Sequence, residues 1–282
     1  MKKFSVIIPF YNGLETIEEL VSRIIAVGIV AGFKFDIIIV DDSGSAESNL
    51  KLQEVFKGYE LVSVIPLSRN FGQHVATFIG ILKASNNPVI TMDEDLKFAP
   101  EDVPKLVNVL NDNDMVYGVV ARKAGAETFR DLVLGVIKPM LSNRYPAKTS
   151  SFRIISKDIV LGIKNVLPRY IQIEGMLIQK SRRYDYVNVE NGTDSNRKSS
   201  YNVFSLYLMI SGLLTHYTLV PWLVISVVVL AISPYAVCNF QPFELALISG
   251  LSTLALFNIY GEVKNIVLNY DTKKELARLG LN

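Results

Sequence analysis

The chain has 282 residues, of which 50% are hydrophobic and 20% charged, with a mean hydropathy of +0.29. Disorder, coiled coil and collagen are excluded by that composition, and the single cysteine, Cys238, can close no intramolecular bridge and leaves no CxxC pair for structural zinc. Its 29 basic and 27 acidic groups give a net charge of +2, too balanced for a nucleic-acid binder.

The N-terminal MKKFSVIIPFYN carries two lysines and an apolar run, but Pro9, Tyr11 and Asn12 break it and no small-residue cleavage site follows. This is not the pattern of a signal peptide. From there to about residue 120, strand and helix signals alternate. β-rich runs begin near Phe4, Phe35, Leu61, Pro88 and Met115, and Leu14 to Val30 places Leu14, Ile17, Leu20, Val21, Ile24 and Ile25 on one helical face. A strand every 26 to 31 residues is the βαβ period, so the expected fold is α/β with a mostly parallel sheet covered on both faces. Ligands bind such sheets at the carboxyl ends of the strands.

Polar clusters fall at those ends. The second strand runs into Asp41-Asp42-Ser43-Gly44-Ser45; the carboxylates suit ribose hydroxyls or a base edge, and the same residues equally suit a turn and a helix N-cap. The fourth runs into Asp93-Glu94-Asp95. Alternate residues of an extended segment point the same way, so Asp93 and Asp95 can share a cation, with Glu94 opposite. Oxygen-only ligands favour Mg²⁺ or Mn²⁺, which also bridge a diphosphate; the alternative is an acidic loop before a helix starting near Pro100. There is no P-loop, GxGxxG or GxSxG motif, leaving phosphate to the metal and to arginines such as Arg69, Arg122 and Arg153.

Between Lys198 and Glu244 there is no charged residue. Tyr217 to Val237 is long enough to cross a membrane, and Leu245 to Tyr260 crosses if its flanks contribute; the alternative is a pair of buried core helices. Lys264, Lys273, Lys274 and Arg278 follow the second run and the link between the two runs has no Lys or Arg, which predicts a hairpin with both ends cytoplasmic. The stripe Phe204, Tyr207, Leu208, Ser211 and Leu214 reads as an amphipathic helix on the membrane surface or as core packing. The expected division is a catalytic domain over 1–198, a juxtamembrane helix over 199–216, a hairpin over 217–262 (spans about 217–237 and 243–261) and a cytoplasmic tail over 263–282.

VIIPFYNG, IIVDDSGS, LSRNFGQHVA, ITMDEDLKFAPEDVPKLV and SSFRIISKD follow one another in this order. The set resembles the GT-A glycosyltransferases of family 2, specifically the membrane-anchored polyprenyl-phosphate glycosyltransferases such as dolichyl-phosphate mannose synthase and the bactoprenol glucosyl- and aminoarabinosyl-transferases. The resemblance implies a nucleoside pocket lined by Pro9, Tyr11 and Asp42, with Asp41 beside them. It makes Asp93, Glu94 and Asp95 the DxD element for metal and diphosphate, and Asn70, Gly72 and Gln73 a loop near the donor. Arg122 would act near phosphate in catalysis, with Asp93 and Asp95. Arg153 of the FR motif, Arg197, Lys198 and Tyr201 would join Arg122 at the acceptor phosphate.

Three features depart from the family pattern. Gly13 stands where relatives carry Glu after PxYN, no carboxylate lies in Ala147 to Ser151 where many members place a base, and Asp194 and Arg197 replace the Arg and Gly of a basic motif before the membrane. A lipid phosphate is already anionic and can attack without a base, whereas a sugar hydroxyl needs one. The expected activity is therefore inverting transfer from a nucleotide sugar, UDP-hexose by resemblance, to polyprenyl (undecaprenyl) phosphate at the cytoplasmic face of the inner (plasma) membrane, for cell-envelope glycans. A hydroxyl acceptor on a lipid-linked saccharide, with Glu174, Asp185 or Glu190 as base, and an inactive membrane scaffold are the alternatives. A homo-oligomer or a flippase partner is left open.

Overall fold

The computed structural model describes residues 1–120, 146, 148–165, 171–190, 259–260, 263–264 and 266–281. All five expected strands are present: β1 (Lys2–Phe10), β2 (Phe33–Asp41), β3 (Val62–Pro66), β4 (Val89–Thr91) and β5 (Met115–Val120). Two more, β6 (Arg153–Ile155) and β7 (Tyr184–Val189), complete a seven-stranded sheet of order β3-β2-β1-β4-β6-β5-β7. β3, β2, β1 and β4 run parallel, while β6 lies antiparallel between β4 and β5, and β7 is parallel to β5. The sheet is thus parallel in its N-terminal half and mixed in its C-terminal half. Strand β6 is too short at three residues to carry a periodic signal.

The helices are α1 (Leu14–Ala31), α2 (Ala46–Val55), α3 (Gln73–Lys83), α4 (Val103–Leu110), α5 (Lys157–Lys164) and α6 (Ile173–Lys180). The helix expected from Pro100 opens as a 3-10 turn over Pro100–Asp102 before α4. Period-two alternation divides β1 between two layers. Val6, Ile8 and Phe10 join Ile17, Leu20 and Ile24 of α1 and Leu106 of α4 in one core cluster. Ile7 points the other way, against α3 at Gly80, where Val40 of β2 also packs. Removing one fully buried α1 residue, as in Leu20→Ala, is expected to cost about 2–5 kcal/mol.

Residues 266–278 form a further helix, α7. From Thr272 onward the chain belongs to the same compact unit as the α/β domain, and the residues 199–271 that precede this return are assigned to a second unit. Thr272 and Leu276 are buried. The expectation for 263–282 had no such packing in it.

Candidate active site

The carboxyl ends of β1, β2 and β4 bring the sequence-predicted residues to one edge of the sheet. Asp41 and Asp42 are both buried, at 2% and 4% exposure. Asp41 closes a local turn, its Oδ1 accepting from the Ser43 N–H at 3.0 Å and the Ser43 hydroxyl at 2.6 Å. Asp42 reaches across to the β3–α3 loop and accepts the N–H of Phe71 at 2.6 Å and of Gly72 at 2.8 Å. Burial pushes the Asp42 carboxyl up to about 6, against the pull of those two N–H groups. The two loops meet closely: Gly44 has φ 66°, and a Cβ there would stand 2.7 Å from the Arg69 Cα. Only glycine meets both demands. Arg69 lies over the Phe71 ring at 4.7 Å, and it and Asn70 are exposed between the anchored positions.

At the end of β4 the acidic triplet divides. Glu94 turns back to the β1–α1 loop and accepts the N–H of Tyr11 at 2.9 Å and of Asn12 at 3.3 Å. A Cβ at Gly13 would stand 2.8 Å from the Glu94 Cδ, so the missing side chain at 13 is what lets Glu94 approach. Pro9 is half-buried at the end of β1, and the Tyr11 ring beyond it is 54% exposed at this edge. Asp93 takes the opposite direction. Its Oδ1 accepts from the Gln73 amide and its Oδ2 from the Ser151 hydroxyl at 2.5 Å. Burial, reinforced by the charge of Asp95, raises the Asp93 carboxyl above its ordinary value, although the Ser151 bond opposes this. Asp95 accepts the Lys97 N–H at 3.2 Å. Leu96 follows in the left-handed region with φ 55° and is buried, a conformation that costs a non-glycine residue on the order of 1 kcal/mol.

Beneath Asp93 lies a buried network. Arg153, 4% exposed, pairs with Glu174 through Nη1, and its Nε donates to the Thr91 hydroxyl at 3.3 Å. The Tyr117 hydroxyl donates to the other oxygen of Glu174. The Thr91 hydroxyl in turn donates to the Ser151 carbonyl at 2.5 Å. Both carboxylate oxygens of Glu174 are thereby engaged, and Arg153 sits below the site surface, with its charge directed at Glu174. Asp185 accepts the N–H of the adjacent Tyr186 at 2.8 Å, and the Glu190 N–H donates to Asp102 at 3.0 Å. Ser151, Thr91 and Tyr117 were not legible as site residues. Ser151 alone had a signal, its place just before Phe152-Arg153.

Arg122, Arg197, Lys198, Tyr201, the first expected membrane span and all of the second but residues 259–260 lie outside the described residues. Among the described residues no helix is long and apolar enough to cross a membrane, and no group of three or more His, Cys, Asp or Glu side chains gathers as a metal cage. Asp93 and Asp95 nevertheless fit a divalent ion of the kind that takes one or two carboxylates and completes its shell with substrate phosphates and water. Burial and the charge of Asp95 already raise Asp93, and the partners of Asp93 are the neutral Gln73 and Ser151.

The glycosyl transferase family 2 model matches residues 5–167, more than half of the chain. An uncharacterized glycosyltransferase of Synechocystis is 28% identical over 211 residues, covering 73% of this chain and 66% of that protein. The undecaprenyl-phosphate 4-deoxy-4-formamido-L-arabinose transferase of Yersinia pestis is 28% identical over 238 residues, covering 83% and 73%. Among solved structures, glucosyl-3-phosphoglycerate synthase of Mycobacterium tuberculosis, crystallised with Mn²⁺, UDP and phosphoglyceric acid, aligns with TM-score 0.57 at 19% identity over 76% of this chain and 78% of its own. Staphylococcus aureus TarS 1-349 aligns with TM-score 0.50 at 15% identity over 99% and 92%. These two establish a shared GT-A-like fold, and the sequence match establishes that this chain belongs to glycosyl transferase family 2.

Proposed function

We propose that the protein is a membrane-bound inverting glycosyltransferase that moves a sugar from a nucleotide sugar to polyprenyl phosphate. The observation that carries this reading is the placement of Asp93 two residues beyond β4, between the start of α3 and the segment leading into β6, with Asp95 following in the turn. Asp93 is held by Gln73 of the donor loop and by Ser151 of the segment leading into β6. A divalent ion on these two carboxylates would neutralise the leaving diphosphate. The exposed Tyr11 ring offers a stacking surface for the base. Asp42 and Glu94 serve the donor indirectly, by fixing the backbone of the two loops that border it. Arg153 serves the acceptor indirectly, through the network beneath Asp93, and direct phosphate contact falls to Arg122, Arg197, Lys198 and Tyr201.

Chemistry then needs one displacement. An anionic phosphate oxygen of the lipid attacks the anomeric carbon as the bond to the diphosphate breaks, and the electron pair leaves with the nucleoside diphosphate. No proton has to be removed from such an acceptor. This agrees with Glu174 being bound by Arg153 and Tyr117, and with the names of the undecaprenyl-phosphate transferases among the relatives. UDP and Mn²⁺, both present in the synthase crystal, are the first donor nucleotide and metal to test. Thr272 and the residues after it belong to the same compact unit as the α/β domain, which supports an even number of membrane crossings before them, as the hairpin requires.

The test is transfer of radiolabelled sugar by the full chain in detergent, with a panel of nucleotide sugars and undecaprenyl phosphate, with and without Mn²⁺. Metal-dependent, mild-acid-labile labelled lipid is the expected product. Donor binding with the lipid left unlabelled would move the acceptor to the hydroxyl of a lipid-linked saccharide.

A further inference from the structure

We propose that the C-terminal helix is a structural part of the donor site, with Glu275 as the positioning residue that fixes the β3–α3 loop. Within α7, Thr272, Glu275 and Leu276 recur at helical spacing and are the buried positions, at 0%, 3% and 2% exposure. A carboxylate in the middle of a buried stripe requires partners. Glu275 accepts the Ser68 N–H at 2.9 Å and the Ser68 hydroxyl at 2.7 Å, and pairs with Arg278 at 2.5 Å. Burial opposes its charge, yet the bonds from Arg278 and Ser68 outweigh this and hold its carboxyl below the ordinary value. Arg278 also donates to the Pro66 carbonyl at 2.5 Å, and Lys83 donates to the Leu279 carbonyl at 2.9 Å near the end of the helix.

The contact lands on the loop that the site depends on. Ser68 is held by Glu275, and Phe71 and Gly72 by Asp42, so two carboxylates more than 200 residues apart in sequence pin the loop at both ends. Arg69 and Asn70 are displayed between those pins, and Gln73, the first residue of α3, reaches Asp93. A continuous path of backbone and hydrogen bonds therefore joins α7 to the metal-site aspartate. Releasing Glu275 frees one end of the loop, which lowers the population of the donor-competent arrangement and the apparent affinity with it.

This inference rests on the donor reading above, and its test separates the two. The full chain in detergent is titrated with UDP, GDP, CDP and ADP, each with Mn²⁺, and amide exchange is followed over residues 67–73. Glu275→Ala is expected to speed exchange there and to weaken nucleotide binding about tenfold, raising the donor KM while leaving the lipid KM in place. Glu275→Gln, which keeps one acceptor oxygen, should recover part of the loss. Should Glu275→Ala unfold the domain, Ser68→Ala removes one of the two bonds from the loop side, and a several-fold weakening is expected. Wild-type affinity in the Glu275 and Ser68 variants, unchanged exchange, or equal rises in both KM values would overturn the inference. A wild-type chain that binds none of the four nucleotides would instead overturn the donor reading on which it rests.

Discussion

Two sets of carboxylates crowd the same edge of this sheet and are used differently. Asp42, Glu94 and Glu275 each accept a backbone N–H from a loop 29 or more residues away in sequence. Asp93 has side-chain partners, Gln73 and Ser151, and Asp95 has the N–H of Lys97 two residues on. The first set holds loops in shape, and the second presents charge from those loops. Residue type does not separate them; the direction each side chain takes from its strand end does. Glu94 and Asp93 are adjacent in sequence and fall in different sets because the chain turns at Glu94, whose side chain goes to the β1–α1 loop while that of Asp93 goes to Gln73 and Ser151.

If that division is right, substitutions in the two sets have different signatures. Asp93→Ala and Asp95→Ala should each lower transfer roughly 100- to 1000-fold while leaving the thermal midpoint close to wild type. Wild-type rates in either variant would remove the metal role. Glu174→Gln should show the reverse pattern. Leaving Arg153 buried without its counter-charge costs about 3–5 kcal/mol, read as a lower denaturation midpoint. A midpoint unchanged within 1 °C would show that the pair is not buried in solution as it is here.

The parallel half of the sheet was legible because each of its strands is an apolar run followed by a polar cluster, and the first helix, α1, carries a clear apolar face. Asp93 and Asp95 were legible as acidic residues following a β-rich run, but the alternation expected of an extended segment does not hold there, because β4 ends at Thr91 and Glu94 and Asp95 lie in a turn. The loop-holding duties of Asp42 and Glu94 were not, since a turn-forming Asp and a ligand-binding Asp have the same sequence. Nor was β6, whose three residues pair on both sides with strands distant in sequence. Glu275 was the least legible. It follows Lys273 and Lys274 in a charged helix that reads as solvated, and only the tertiary contact with Ser68 distinguishes it.

Asp42 offers a pH test of the loop-holding set. Its carboxyl lies at about 6 in the fold against an unfolded value near 3.8. The native state therefore keeps a proton that the unfolded chain has lost. Stability contributed by that proton is present below about pH 4 and is lost as pH rises through about 6. Two pKa units correspond to about 3 kcal/mol. The stability of wild type relative to Asp42→Asn should fall by about that amount between pH 4 and pH 7, whatever the constant offset of the substitution. A difference flat with pH would mean that Asp42 is ionised throughout and its burial is relieved.

The smallest effect is the most specific. In family members the position after PxYN carries Glu, and here it carries Gly13 beside a Glu94 that occupies the space a Cβ would take. Gly13→Ala must displace Glu94 from the N–H groups of Tyr11 and Asn12. The expected cost is about 1–2 kcal/mol, the range for losing hydrogen bonds to a charged acceptor. Glu94→Ala removes the same bonds from the other side. Once the Glu94 side chain is gone, the three atoms nearest to a methyl at 13 are gone with it, and Gly13, at φ −83°, is not in the left-handed region. The double variant should therefore be no less stable than Glu94→Ala alone, giving a coupling of about 1 kcal/mol in a double-mutant cycle by thermal or urea denaturation. Simple additivity would mean that Gly13 and Glu94 act independently. Coupling would mean that the absent Glu at 13 and the Glu at 94 are one feature: a single carboxylate holds the loop under the Tyr11 ring, reached from β4.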